Sequence, residues 1–135
     1  SQVKYANECP KTRFASMIKI YVYYAANHPA LHKIILQESS NPSSRLEWLS
    51  ENFLKPLSEV SSKYIVELQD KGVVGPGNPQ MIYNMIRVSS GGLIARALEL
   101  KSTSNIDFSS DETLEELTDL IVRTFLPGEV ESAAA

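Results

Sequence analysis

The stretch from Ser44 to Lys71, SRLEWLSENFLKPLSEVSSKYIVELQDK, decides the fold class, because Leu46, Leu49, Phe53, Leu57, Val60, Tyr64 and Leu68 recur every three or four positions. That spacing lays one apolar stripe along an α-helix, whereas a half-buried strand alternates at every second position. Ser44 and Glu47 form a capping-box pair at its start, and Gly72 stands where a C-terminal cap belongs. At about 1.5 Å per residue such a helix spans ~40 Å. Pro56 lies inside the stripe, where it withholds a backbone donor and crowds the carbonyl four residues back. The apolar pattern continues through it, which predicts one helix bent near Asn52 rather than two.

The flanking segments carry the same periodicity. Upstream, residues from about Pro10 to Asn27 place Phe14, Met17 or Ile18, Tyr21, and Tyr24 or Ala25 on one face. His28-Pro29 ends that helix, since a residue before proline is pushed out of the helical region and Pro29 suits the first turn of a new, short one carrying Leu31, Ile34 and Ile35. Downstream, the Gly72 to Pro79 loop closes on Asn78-Pro79, a cap followed by proline, and opens a fourth helix to about Leu100 with Ile82, Met85, Ile86, Leu93, Ile94 and Leu98. A loop from Ser102 to Phe108 and a second capping-box pattern, Ser109-Ser110-Asp111-Glu112, introduce a last helix that stops at Leu126-Pro127-Gly128. The expectation is an all-α fold: a single bundle of about five helices over residues 1–128, followed by a disordered tail over 129–135.

A chain of 135 residues, 43% of them hydrophobic, suits one core. Thirteen Lys and Arg against 16 Asp and Glu leave a net charge of −3 without any block of like charge, so nothing forms a phosphate-binding footprint. Cys9 is the only cysteine, which excludes an internal disulfide and favours a reducing, cytoplasmic setting. The apolar run from Phe14 to Ala26 contains Lys19 and falls short of the roughly 20 residues that a membrane span needs.

No constellation for catalysis stands out. His28 and His32 are four apart, a spacing that metal sites use, but Pro29 separates them and no Cys or acidic cluster completes a shell. Gly75-x-Gly77 lacks a preceding strand and a following Lys-Ser or Lys-Thr, Cys9 has no basic neighbour placed to activate it, and Ser89-Ser90 has no acid-base partner. The expectations are therefore no enzyme, no metal and no cofactor. Gly91-Gly92 in mid-helix costs about 1 kcal/mol per residue relative to Ala, which asks for a close approach by another helix or a ligand. Aromatic and Met side chains from three helices, with isolated polar groups, are what a pocket for a small apolar or aromatic molecule requires. Such a pocket is expected between the first, third and fourth helices, lined by Met17, Tyr21, Tyr24, Trp48, Asn52, Met85 and Ser89.

The ordered set His28-Pro29-Ala30-Leu31-His32-Lys33-Ile34-Ile35, Arg45-Leu46-Glu47-Trp48-Leu49, Phe53-Leu54-Lys55-Pro56-Leu57, Gly72-Val73-Val74, Gly91-Gly92-Leu93 and Arg123-Thr124-Phe125-Leu126-Pro127-Gly128 resembles the C-terminal domain of TetR-type bacterial transcriptional regulators. The resemblance runs from about Phe14 to Gly128. It implies a homodimer that binds a small effector, with operator DNA read by a helix-turn-helix head that this chain lacks, so that the chain is expected to be part of a longer regulator, usually a repressor. It also points to the fourth and last helices as the dimer interface. The last helix adds its own reason, for Leu114, Leu117, Leu120, Ile121, Val122 and Phe125 make a stripe too wide for one neighbour. Ser90, Gly91, Leu93, Leu114, Leu117, Ile121 and Phe125 are the interface residues expected. The alternative from another class is a freestanding helical interaction module; an enzyme comes third.

Overall fold

The structure, a computed structural model describing residues 9–126, contains helices and no strand among those residues. Helix α1 is Pro10–Asn27 and α2 is Pro29–Glu38. Helix α3 (residues 44–70) consists of Ser44–Leu49, a π-helical turn Ser50–Leu54, and Lys55–Asp70. Helix α4 (residues 79–95) is likewise interrupted: Pro79–Arg87, a π-helical turn Val88–Gly92, then Leu93–Ala95. Helices α5, Ala97–Ser104, and α6, Asp111–Phe125, complete the set. The all-α single bundle is thus the observed architecture, and the expected tail over 129–135 lies outside the described residues.

The start and stop signals work through identifiable bonds. Cys9 caps α1, its Sγ accepting from the Thr12 N–H, and Pro10 fills the first turn. His28 leaves the helical region before Pro29 and bonds back to the Tyr24 carbonyl. Gly72, at φ 71°, closes α3 with the paired bonds of a Schellman motif: its own N–H to the Gln69 carbonyl and that of Val73 to Leu68. Asn78 caps α4, its Oδ1 accepting from the N–H groups of Gln80 and Met81.

Four local expectations are corrected. The cap of α3 is Ser43, whose Oγ accepts from the Leu46 N–H, so Ser44 is already helical. No side chain caps α6 at Ser110; Asp107 instead folds the approach by accepting from the Ser109 N–H and hydroxyl. The fourth helix ends at Ala95 rather than near Leu100, because Arg96 turns out of the helical region, and the segment expected as a loop from Ser102 begins inside α5. Asn105, in the left-handed region at φ 55°, then stops α5.

A further difference lies at Pro56. Where a bend was expected near Asn52, the chain makes a wide turn: the Lys55 N–H reaches the Ser50 carbonyl, five residues back. One extra residue in the turn rotates everything after it by roughly 100° relative to a pure α-helix. The buried side of α3 therefore runs from Leu49 to Ser62, Ile65 and Leu68, while Phe53, Leu57 and Val60 from the expected stripe are exposed.

The core gathers Phe14, Ile18, Val22 and Ala25 of α1 with Ile65 and Leu68 of α3, Ile82, Ile86 and Ile94 of α4, and Leu114 and Ile121 of α6. Val73, Val74, Phe108 and Leu126 seal it from the loops and the end of α6. Helix α1 lies against α6, α3 against α4, and α2 against the π turn and last turn of α4. That last contact explains Gly91: the His32 ring occupies the space where a Cβ there would stand. Replacing Gly91 by Ala would gain about 1 kcal/mol of helix propensity, but forcing a methyl into the ring costs about 1–3 kcal/mol. Gly91→Ala is expected to destabilise by up to about 2 kcal/mol in urea unfolding; in a His32→Ala background the same substitution should be neutral or stabilising. Equal costs in both backgrounds would show that His32 is not what requires the glycine.

Candidate functional site

A cavity of about 220 Å³ lies between α1, α3 and α4. Phe14, Ile18, Ile65 and Ile86, all buried, form its depth, and the exposed residues Met17, Leu57 and Val60 stand at its mouth. Tyr21, Ser61, Tyr64, Tyr83 and Arg87 supply its polar atoms. Helical spacing assembles it: Phe14, Met17, Ile18 and Tyr21 share one side of α1, and Tyr83, Ile86 and Arg87 one side of α4. The lining residues of α3 follow its π turn and those of α4 precede theirs, a placement typical of such turns near functional sites.

Burial and one cation set the electrostatics. Desolvation, aided by Tyr83, pushes the Tyr21 phenol up to about 12, and the Arg87 guanidinium and Ser90 hydroxyl offset only part of this. Burial also raises Tyr83, against the opposing pull of Arg87 and Ser61, and raises Tyr64, against Arg13. All three remain neutral phenols at physiological pH, able to donate or accept hydrogen bonds. Arg87 donates from Nε and Nη2 to Asn84 Oδ1 at 3.3 and 3.2 Å. His32 meets Tyr21 edge-on at 5.8 Å, and burial, then Arg87, holds its pKa below the usual 6.5.

Of the residues expected to line a pocket, Met17 and Tyr21 do so. The other five lie elsewhere. Tyr24 is exposed and stacks on His28 at 4.3 Å; Met85 is exposed on the far side of α4; Ser89 turns its hydroxyl onto the Ile86 carbonyl. Trp48, 57% exposed, packs edge-on against Phe53 and lines a separate groove with Ile34, Glu38 and Arg45, and Asn52 donates to the Trp48 carbonyl. The π turn accounts for Trp48, which precedes it, and Asn52, which lies within it: only after the turn do Leu57, Val60 and Tyr64 face the cavity.

The expected interface residues divide in the same way. Ser90, Gly91, Leu114 and Ile121 are buried within the protomer, Ser90 with its hydroxyl on the Ile86 carbonyl at 2.6 Å and Gly91 under His32, so they are not available to a second copy. Leu93, Leu117 and Phe125 are half-buried against the core. The apolar residues these helices do expose are Met81, Met85 and Val88 on α4 and Leu120 on α6.

Sequence reasoning missed Tyr64, Tyr83 and Arg87 as a set. Arg87 was the readable signal, as the lone charge in the apolar run from Met81 to Val88. Among the described residues no group of three or more His, Cys, Asp and Glu converges as for a metal, and no helix is long and apolar enough to cross a membrane. Cys9, read as inert, is exposed and has its thiol pKa lowered by the side-chain hydrogen bond with Thr12, then by the Thr12 N–H. No protein-family model matches the chain, and comparison with curated proteins finds no match.

His32 gives the site a pH signature. Its folded pKa lies below the unfolded value of about 6.5, so the unfolded chain binds the proton first and stability is lost as pH falls. The contribution is complete above about pH 6.5 and declines through the window below it. Thermal melts between pH 7.5 and 5 should show wild type losing more Tm than His32→Leu. A parallel decline in both proteins would remove His32 as the source.

Proposed function

We propose that this chain is the effector-binding and dimerisation domain of a TetR-type transcriptional regulator, in which a small molecule in the cavity controls the spacing of two copies. The observation that carries the reading is the apolar cavity among α1, α3 and α4, with phenols and one guanidinium at its wall. It adjoins α4, one of the two helices that the resemblance assigns to the dimer. An occupant that fits one arrangement of α3 against α4 better than another shifts the population of dimer geometries, and the coupling is limited to that difference in affinity. Operator contact, on this reading, belongs to a helix-turn-helix segment outside these residues, consistent with a net charge of −3 and no basic face in the sequence. The domain transduces rather than catalyses.

The second copy is assigned to the apolar side chains that α4 leaves outward, Met81, Met85 and Val88, which recur at helical spacing, and to Leu120 of α6. A second reading, a helical interaction module, is favoured by the exposed Trp48–Phe53 pair beside Ile34. The two readings predict different surfaces. Sedimentation at micromolar concentration should give a dimer for wild type and a folded monomer for Met85→Glu, because a two-fold contact introduces each charge twice. In a band-shift assay at physiological salt, residues 1–135 should show no sequence-specific DNA binding. A monomeric wild type, or a dimer indifferent to Met85→Glu but split by Trp48→Glu, would move the assignment to the second reading.

A further inference from the structure

We infer that the cavity takes a small organic monoanion, a carboxylate on a compact apolar body such as one aromatic ring, with the carboxylate on Arg87. The inference rests on the reading of this cavity as the effector site and adds the ligand's chemical class.

Size comes first. An apolar cavity of about 150 Å³ is enough to admit benzene, whereas drug-sized ligands occupy roughly 300–1,000 Å³. At about 220 Å³ this one has room for a single ring and one small polar group. Phe14, Ile18, Ile65 and Ile86 offer the ring no polar partner, so the body must be apolar.

Charge comes second. Among the described residues Arg87 is the only ionised side chain that lines the cavity, and no Asp or Glu does. Among the described residues it makes no ion pair. A cation on an apolar wall without a counter-ion is costly unless something pairs with it. One cation asks for one negative charge, which disfavours a phosphate dianion. Asn84 takes only the side edge of the guanidinium, Nε with Nη2, at 3.3 and 3.2 Å. The end edge, Nη1 with the second hydrogen of Nη2, is left for an acceptor, and its geometry matches the two oxygens of a carboxylate. A further donor stands ready: the Tyr64 hydroxyl is buried and has no hydrogen-bond partner among the described residues. Tyr64 lines the same cavity.

The test titrates the full 135-residue chain with benzoate and with its neutral counterpart benzyl alcohol, by calorimetry and by following the Met17 and Ile86 methyl resonances. Benzoate should bind more tightly by about 10- to 100-fold, the range expected of hydrogen bonds to a charged group. Arg87→Gln should abolish that preference and leave benzyl alcohol unchanged, while Arg87→Lys should keep part of it, having the charge without the fork. If Arg87→Gln does not fold, the benzoate-to-benzyl-alcohol ratio in wild type and Arg87→Lys decides. Equal binding of the two probes, or a preference that survives Arg87→Gln, overturns the monoanion and leaves the cavity as an effector site. No shift of either methyl by either probe at millimolar concentration overturns both.

Discussion

The fold turns on one steric fit, the His32 ring against the bare backbone of Gly91. It lets α2 dock onto α4 at the π turn, and the same turn carries Ser90 fully into the interior, where its hydroxyl is satisfied by the Ile86 carbonyl. Tyr21 then finds the edge of His32 on one side and the cavity on the other. Gly91, which costs about 1 kcal/mol in helix propensity relative to Ala, fits there because no side chain could share that space with the imidazole. Burying the ring fixes its charge state as well, since a neutral imidazole suits a site beside a guanidinium far better than a second cation.

Cavity and core are made from the same helices, which is why the site has an apolar depth and a polar wall. Ile18 and Ile65 belong to the central core and also line the cavity, so anything bound there touches the packing that sets the approach of α1 to α3. The polar groups are expensive to keep. A guanidinium without a carboxylate and a buried phenol without a partner both subtract from stability unless an occupant satisfies them. Arrangements of this kind favour binding over stability, in contrast to a satisfied buried hydroxyl such as that of Thr118 on the Leu114 carbonyl.

Fold class, helix order and most boundaries were legible in the sequence because caps and prolines act within a few residues. Cys9-Pro10, His28-Pro29, Gly72 and Asn78-Pro79 each stop or start a helix where the chemistry of that residue requires it. The site was legible only in outline. Periodicity assumes 3.6 residues per turn, and the π turns at Ser50–Leu54 and Val88–Gly92 break that assumption twice. The expected pocket therefore included Trp48 and Asn52, whereas Leu57 and Tyr64, beyond the first π turn, are among the α3 residues that line the cavity. Small residues misled in a different way: Ser90 and Gly91 marked a close approach, but the partner was α2 of the same chain, a long-range fact that no local pattern encodes.

The Gln69 side chain has a mechanical consequence. Its Nε2 donates to the Gly75 carbonyl at 3.0 Å and to that of Gly77 at 2.9 Å, so one amide clasps the loop joining α3 to α4. The two helices are thereby hinged at one end like the arms of a pair of tweezers, with the clasp as fulcrum and the cavity along the arms. Leu57 lies eleven residues up the arm from Leu68, or about 16 Å at 1.5 Å per residue. A tilt of about 5° at the fulcrum would displace that end by about 1.4 Å, close to the length of one C–C bond. In such a tilt the leverage is unequal along the arm: Ile65, near the clasp, would scarcely move, while Leu57 and Val60 at the mouth would sweep the largest arc, so the depth of the cavity would stay a fixed gauge and its entrance would set the aperture.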